Sequence, residues 1–156
     1  MKTVLCFGDS NTWGYDPASF SLPFPRRHAA DKRWTGVLAT QLGSDWRVIE
    51  EGLNGRTTVH DDPMVEGRNG KDALGIALES HKPLDLVVMM LGTNDLKTLF
   101  HCPPGEIAAG VAVLTKMILA SVAGPNDQAP KLLLVCPPAI GDLSALPDLD
   151  AKFENA

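Results

Sequence analysis

The sequence predicts one α/β domain, with a central parallel sheet and helices packed on both of its faces. Three observations predict it. Apolar runs of strand length alternate along the chain with longer segments of helical periodicity. Most of the runs are continuous rather than alternating, as in strands covered on both sides. A turn of small and polar residues follows each run, at the strand end where doubly wound sheets bind their ligands.

The elements follow in order. A first strand is expected over residues 3–7, leading into the turn 8–14. Residues 15–32 carry prolines and scattered aromatics and read as a long surface excursion, the kind of loop that serves as lid, binding wall or interface. Trp34, Val37, Leu38 and Leu42 recur at helical spacing, with Asp31 as the expected N-cap and Gly43 just past the end. Residues 47–49 form the second strand and 50–58 its turn. A weaker helical pattern spans 72–81 and stops at Lys82-Pro83. The third strand, 85–91, runs into the turn 92–95. Ile107, Val111, Leu114 and Ile118 then mark one face of a helix over about 104–123. A fourth strand, 131–136, leads into the segment 137–149, and Leu149 with Phe153 begins a helix over 148–155.

Composition bounds the function. The 156 residues, 44% hydrophobic and 21% charged, suit a single soluble domain over 1–156 with a proper core. Net charge is −5 and no Lys/Arg run exceeds two residues, so the basic footprint required by nucleic acid or an anionic membrane is missing. Small, roughly neutral substrates are expected instead. The opening MKTVLCFGDS lacks the apolar core of a signal peptide, and the longest apolar stretch, 86–91, falls far short of the ~20 residues of a membrane span. A cytoplasmic location is expected. Cys6, Cys102 and Cys136 are odd in number and not at metal-ligand spacing; with two of them inside apolar runs, packed thiols are expected. His60-Asp61-Asp62 precedes Pro63 and reads as a solvated turn rather than a ligand set. No cofactor or metal is called for.

The chemistry concentrates in three turns. Ser10, in Gly8-Asp9-Ser10-Asn11-Thr12, sits on a strand-to-helix turn that exposes a hydroxyl beside backbone N–H groups able to stabilise an oxyanion. Asp9 and Ser10 equally suit a plain helix cap. A phosphate- or flavin-binding turn is a further reading, although neither Gly-x-Gly-x-x-Gly nor a P-loop lysine is present. In the second turn Gly55 supplies a positive-φ position, and in the third Asn94 or Asp95 suits a short cap.

Taken together, FGDSNTWG, EEGLNGRTT and MLGTNDLK, in this order and each after a strand, resemble the first three sequence blocks of the SGNH (GDSL) hydrolases. Thr12-Trp13-Gly14, Arg33-Trp34-Thr35-Gly36-Val37-Leu38 and Ile49-Glu50-Glu51-Gly52-Leu53 are similar to the arylesterase and acyltransferase branch. The resemblance covers residues 3–140 and implies a flavodoxin-like three-layer α/β/α fold. It implies that Ser10 is the nucleophile and one oxyanion donor through its own N–H, that Gly55 gives a second backbone N–H, and that Asn94 gives a third donor through its amide. The implied reaction is acyl transfer from a small aryl, alkyl or carbohydrate ester to water or an alcohol. Trp13, Tyr15, Phe20 and Phe24 would wall an acyl or aryl group, and homo-oligomers are expected from the same branch.

A serine needs a base, and a further group to orient that base. The family takes both from a late Asp-x-x-His block, which occurs nowhere in this chain; after Asp150 stand only Ala-Lys-Phe-Glu-Asn-Ala. His28 lies in the long loop and His81 at a helix end, while His60 and His101 follow the second and third blocks within reach of Ser10, yet neither sits where the family's base arises, so an internal replacement is not expected. The expectation is a domain truncated before its Asp/His block, last strand and final helix. Residues 132–136 then form a bare apolar edge, and a C-terminal fragment of the same protein joins the candidate partners. A flavodoxin-like nucleotide-binding module and a catalytically inactive SGNH-fold protein stay open as alternatives.

Overall fold

A computed structural model describes residues 1–153. Its sheet contains β1 (Lys2–Gly8), β2 (Trp46–Gly52), β3 (Leu86–Met90) and β4 (Lys131–Leu134), all parallel, in the order β2-β1-β3-β4. The helices are α1 (Ser10–Trp13), α2 (Trp34–Leu42), α3 (Gly70–His81), α4 (Pro104–Leu119) and α5 (Pro147–Asp150).

Alternate residues of β1 point to opposite faces, and each face finds different partners. Leu5 and Phe7 join Val87, Met89, Leu74, Leu78, Leu114 and Ile118 in the larger cluster, beneath α3 and α4. Val4 and Cys6 join Val88 on the other face, covered by Trp34, Leu38 and Leu42 of α2. The expected three-layer α/β/α arrangement with a parallel sheet is therefore the one observed. Burial pushes the Cys6 thiol up to about 12, with Glu50 adding to the effect, so Cys6 is a packing group.

Strand order reverses at β1. The chain steps from β1 to β2 on one side and then places β3 and β4 on the other, which opens a crevice between the carboxyl ends of β1 and β3. Gly8, Gly52 and Met90 share one row there. The turns carrying Ser10 and Asn94 leave the sheet on either side of this crevice.

Several expected boundaries differ. β2 extends through Glu50 and Glu51 to Gly52, where the sequence suggested only 47–49. Both carboxylates find partners: Glu50 meets Arg27 at 3.2 Å and Arg33 at 3.0 Å, and Glu51 meets the His81 ring nitrogen at 2.8 Å. Acidic residues that look unlike a strand are thus accommodated at its end. The N-cap of α2 is Arg33 rather than Asp31, because the Ala29 carbonyl already takes the Lys32 N–H in a preceding turn. In α4 the helix stops at Leu119 instead of 123, and the Ser121 hydroxyl donates to the Ile118 carbonyl at 2.8 Å beyond its end. α3 starts two residues earlier than expected, capped by Asn69, whose side chain accepts from the Lys71 N–H at 3.0 Å. β4 ends at Leu134, and Cys136 beyond it is exposed, not the packed thiol expected; Cys102 is partly buried. Of the helix expected over 148–155, α5 forms as a single turn from Pro147 and the last residues of the range lie outside those described.

Candidate active site

The turn after β1 is built around a close approach. A Cβ on Gly8 would stand 2.2 Å from the Thr12 hydroxyl and 2.7 Å from the Met90 carbonyl, so only glycine lets α1 fold back over the sheet end. Asp9 caps α1, its Oδ1 accepting from the Asn11 N–H at 2.9 Å and the Asn11 side chain at 3.1 Å. The capping reading and the exposed-hydroxyl reading are therefore compatible: Asp9 caps, while Ser10 opens the helix on the cavity side.

Beneath this turn lies Arg56, which is 5% exposed. Its Nη1 donates to the Gly8 carbonyl at 2.9 Å and also to the Glu51 carbonyl, and its guanidinium sits 4.3 Å from the centre of the Phe7 ring. Desolvation lowers its pKa to about 10, against the opposing pull of Glu51 and Asp9, so it remains a cation at neutral pH. One residue earlier, Gly55 holds φ +81°, a left-handed conformation that aims the turn back toward Ser10.

The third turn is locked to the second. Asn94 is buried and its Nδ2 donates to the Arg56 carbonyl at 3.0 Å. An NH₂ group has two hydrogens, so this bond leaves one to offer. The adjacent Asp95 is fully buried; its oxygens accept from the Thr58 N–H at 3.0 Å, and Oδ1 accepts from the Thr58 hydroxyl at 2.5 Å. Burial raises its pKa, against these bonds and the His60 charge.

Ser10, Gly55 and Asn94 line one open cavity of about 470 Å³. Neither the Ser10 N–H nor the Gly55 N–H donates to a protein acceptor among the described residues. Tyr15 and Phe20 contribute walls, as expected of the aromatics near the nucleophile, whereas Phe24 is 82% exposed and Trp13 lies beneath the Arg27 guanidinium instead. Pro138, Ile140 and Leu143 from the segment after β4 complete the apolar lining.

No histidine lines the cavity among the described residues. His60 is instead stacked on Phe100 with ring centres 5.7 Å apart, 3.5 Å from the Cys102 sulfur and 3.8 Å from Asp95. His81 pairs with Glu51, and His28 and His101 are exposed.

Arg68 and Lys97 also line the cavity without having been singled out in the sequence, and Asp62, expected in a solvated turn, lines it with them. Lys97 closes the third block, one helical turn beyond Asn94, which is the signal that would have found it; Arg68 lies on an irregular segment with no such cue. Arg56 was visible only as a neighbour of Gly55.

Comparison with known proteins supplies the relationship. A family model described as GDSL-like lipase/acylhydrolase matches residues 6–155. The chain superposes on an inhibitor-bound aryl esterase from M. smegmatis with TM-score 0.93 and 47% identity, covering 99% of this chain and 72% of that one. A carbohydrate acetylesterase from Sinorhizobium meliloti matches with TM-score 0.89 and 45% identity over the same shares, 99% and 72%. A family two carbohydrate esterase from Clostridium thermocellum, at 16% identity and TM-score 0.64, shares the fold. No curated protein matches. With the family model spanning almost all of its length, the chain belongs to the GDSL-like lipase/acylhydrolase family and is by that membership an ester hydrolase.

Proposed function

We propose that the chain carries the acyl-transfer half of a serine esterase, acting on short acyl esters through an acyl-enzyme on Ser10. The Ser10 oxygen adds to the ester carbonyl carbon, and the carbonyl oxygen becomes an oxyanion received by the N–H groups of Ser10 and Gly55 and the free amide hydrogen of Asn94. Collapse expels the alkoxide or phenolate, and water or an alcohol then takes the acyl group from Ser10. The observation that carries this reading is the presence of three uncommitted donors, from three separate turns, around one cavity that also holds the Ser10 side chain.

The hydroxyl proton needs an acceptor, and the described cavity wall has no imidazole. On this reading the base reaches Ser10 from outside residues 1–153. Turnover of p-nitrophenyl acetate by the wild-type chain, alone and with added imidazole, tests the proposal against Ser10→Ala. Imidazole-stimulated, Ser10-dependent hydrolysis is expected, together with fluorophosphonate labelling of Ser10. Labelling and turnover that persist in Ser10→Ala would remove Ser10 from the reaction. Asn94→Ala is expected to lower turnover by about 10² to 10³, the usual loss on removing one oxyanion donor.

A further inference from the structure

Part of the cavity wall carries charge that ester hydrolysis does not itself require. Among the described residues Arg68, Lys97 and Lys152 line it against a single carboxylate, Asp62, so the described wall is locally positive in a chain of net charge −5. Two of these cations stand beside an oxyanion donor. A Cβ on Gly55 would lie 3.4 Å from Cδ and Nε of Arg68 and 3.8 Å from Nζ of Lys97.

Neither is well neutralised. Only 17% of the Lys97 side chain is exposed, yet its ammonium stays 3.9 Å from Asp62 Oδ2, beyond a hydrogen bond. Asp62 spends its other oxygen on the Met64 N–H at 2.9 Å. Burial lowers the Lys97 pKa, with Lys152 and Arg68 adding to the effect and Asp62 opposing it. Arg68 donates to the Glu66 carbonyl at 3.3 Å, and no carboxylate among the described residues comes within 4.0 Å of it. A desolvated cation without a hydrogen-bonded partner is unfavourable, and an anion arriving between Arg68 and Lys97 would relieve Lys97.

We propose that Arg68 and Lys97 form a subsite for a carboxylate carried by the ester, a few bonds from the reacting carbonyl. A planar guanidinium beside an ammonium offers a carboxylate two-point donation plus a second positive charge. The substrate class is then an anionic short ester, such as a monoester of a small dicarboxylic acid. This revises the neutral substrate expected from net charge, which averages over the whole surface and is blind to one wall of one cavity. The subsite rests on the esterase reading for its role in turnover, though not for its binding.

Binding is read in Ser10→Ala, where hydrolysis cannot intervene. Calorimetric titration of monomethyl succinate and its neutral counterpart dimethyl succinate, at low ionic strength, is expected to show the anion bound about tenfold more tightly. That preference should fall to near unity in Lys97→Met and in Arg68→Gln and survive in Lys97→Arg, each variant checked for a native unfolding transition. Equal affinity for the two ligands, or a preference that outlasts both substitutions, overturns the subsite.

Turnover separates the two readings. Hydrolysis of p-nitrophenyl hemisuccinate relative to p-nitrophenyl acetate should drop about tenfold in Lys97→Met. A drop of the same size for both esters would mean that the cation serves the oxyanion, and the substituent subsite would be withdrawn. Anion-selective binding with no Ser10-dependent turnover of either ester would retain the subsite and sink the esterase reading; acetate turnover without anion selectivity would do the reverse.

Discussion

Asp9 is fully buried beside Ser10, and desolvation raises its pKa despite the bonds from Asn11. The stability it contributes is therefore complete below the unfolded aspartate value of about 3.9 and is lost as pH rises through its higher folded value. Urea midpoints measured across that window should fall less steeply in Asp9→Asn, which keeps an oxygen acceptor and never ionises; an unchanged slope would assign the pH dependence elsewhere. Asp95 is buried in the same way but has its acceptors filled by Thr58. The turns holding Ser10, Gly55 and Asn94 were readable from the sequence because each follows a strand, and those three residues were picked out within them by the resemblance of the surrounding blocks to the family's. The groups that hold those turns were not: Arg56 bonds a carbonyl 48 residues away and Asp95 a residue 37 away, and nothing local marks such partners.

Among the elements, the long loop after α1 is tied down more firmly than its composition suggests. Arg27 donates to the Trp13 carbonyl at 2.5 Å, the His28 N–H to the Gly14 carbonyl at 2.7 Å, and the Arg26 N–H to the Ser19 hydroxyl oxygen at 2.8 Å. Glu50, at the end of β2, gathers Arg27, Arg33 and the Thr35 hydroxyl. Glu50→Ala should release this loop: limited proteolysis within residues 15–33 is expected to accelerate several-fold, and the urea midpoint should fall as well, because Arg33, its side chain 10% exposed, is left without its carboxylate. Equal rates in the two proteins would mean the clamp does not hold. In the packed interior, Leu114→Ala should lower global stability by about 2–5 kcal/mol, because α4 loses its fully buried contact with the sheet, readable as a reduced urea midpoint. Strand and helix types were predictable from apolar periodicity. Their ends were less so, since β2 continues through glutamates whose partners come from α3 and the loop.

For the molecule as a whole, the exposed flank is β4. It ends the strand order, and Leu133 and Leu134 are 52% and 48% exposed beside it. An unpaired apolar edge favours association, so light scattering of the chain at rising concentration should show self-association that Leu134→Lys reduces. The expected homo-oligomer would be supported by a defined stoichiometry, and open-ended growth would count against it. The reversal of strand order at β1 has a consequence of another kind. The proposed oxyanion donors come from turns after β1, β2 and β3, so no contiguous piece of the polypeptide holds them in register and any loss of the sheet scatters them together. Catalytic competence and cooperative folding should then vanish along one denaturation curve, without a partly active intermediate between them.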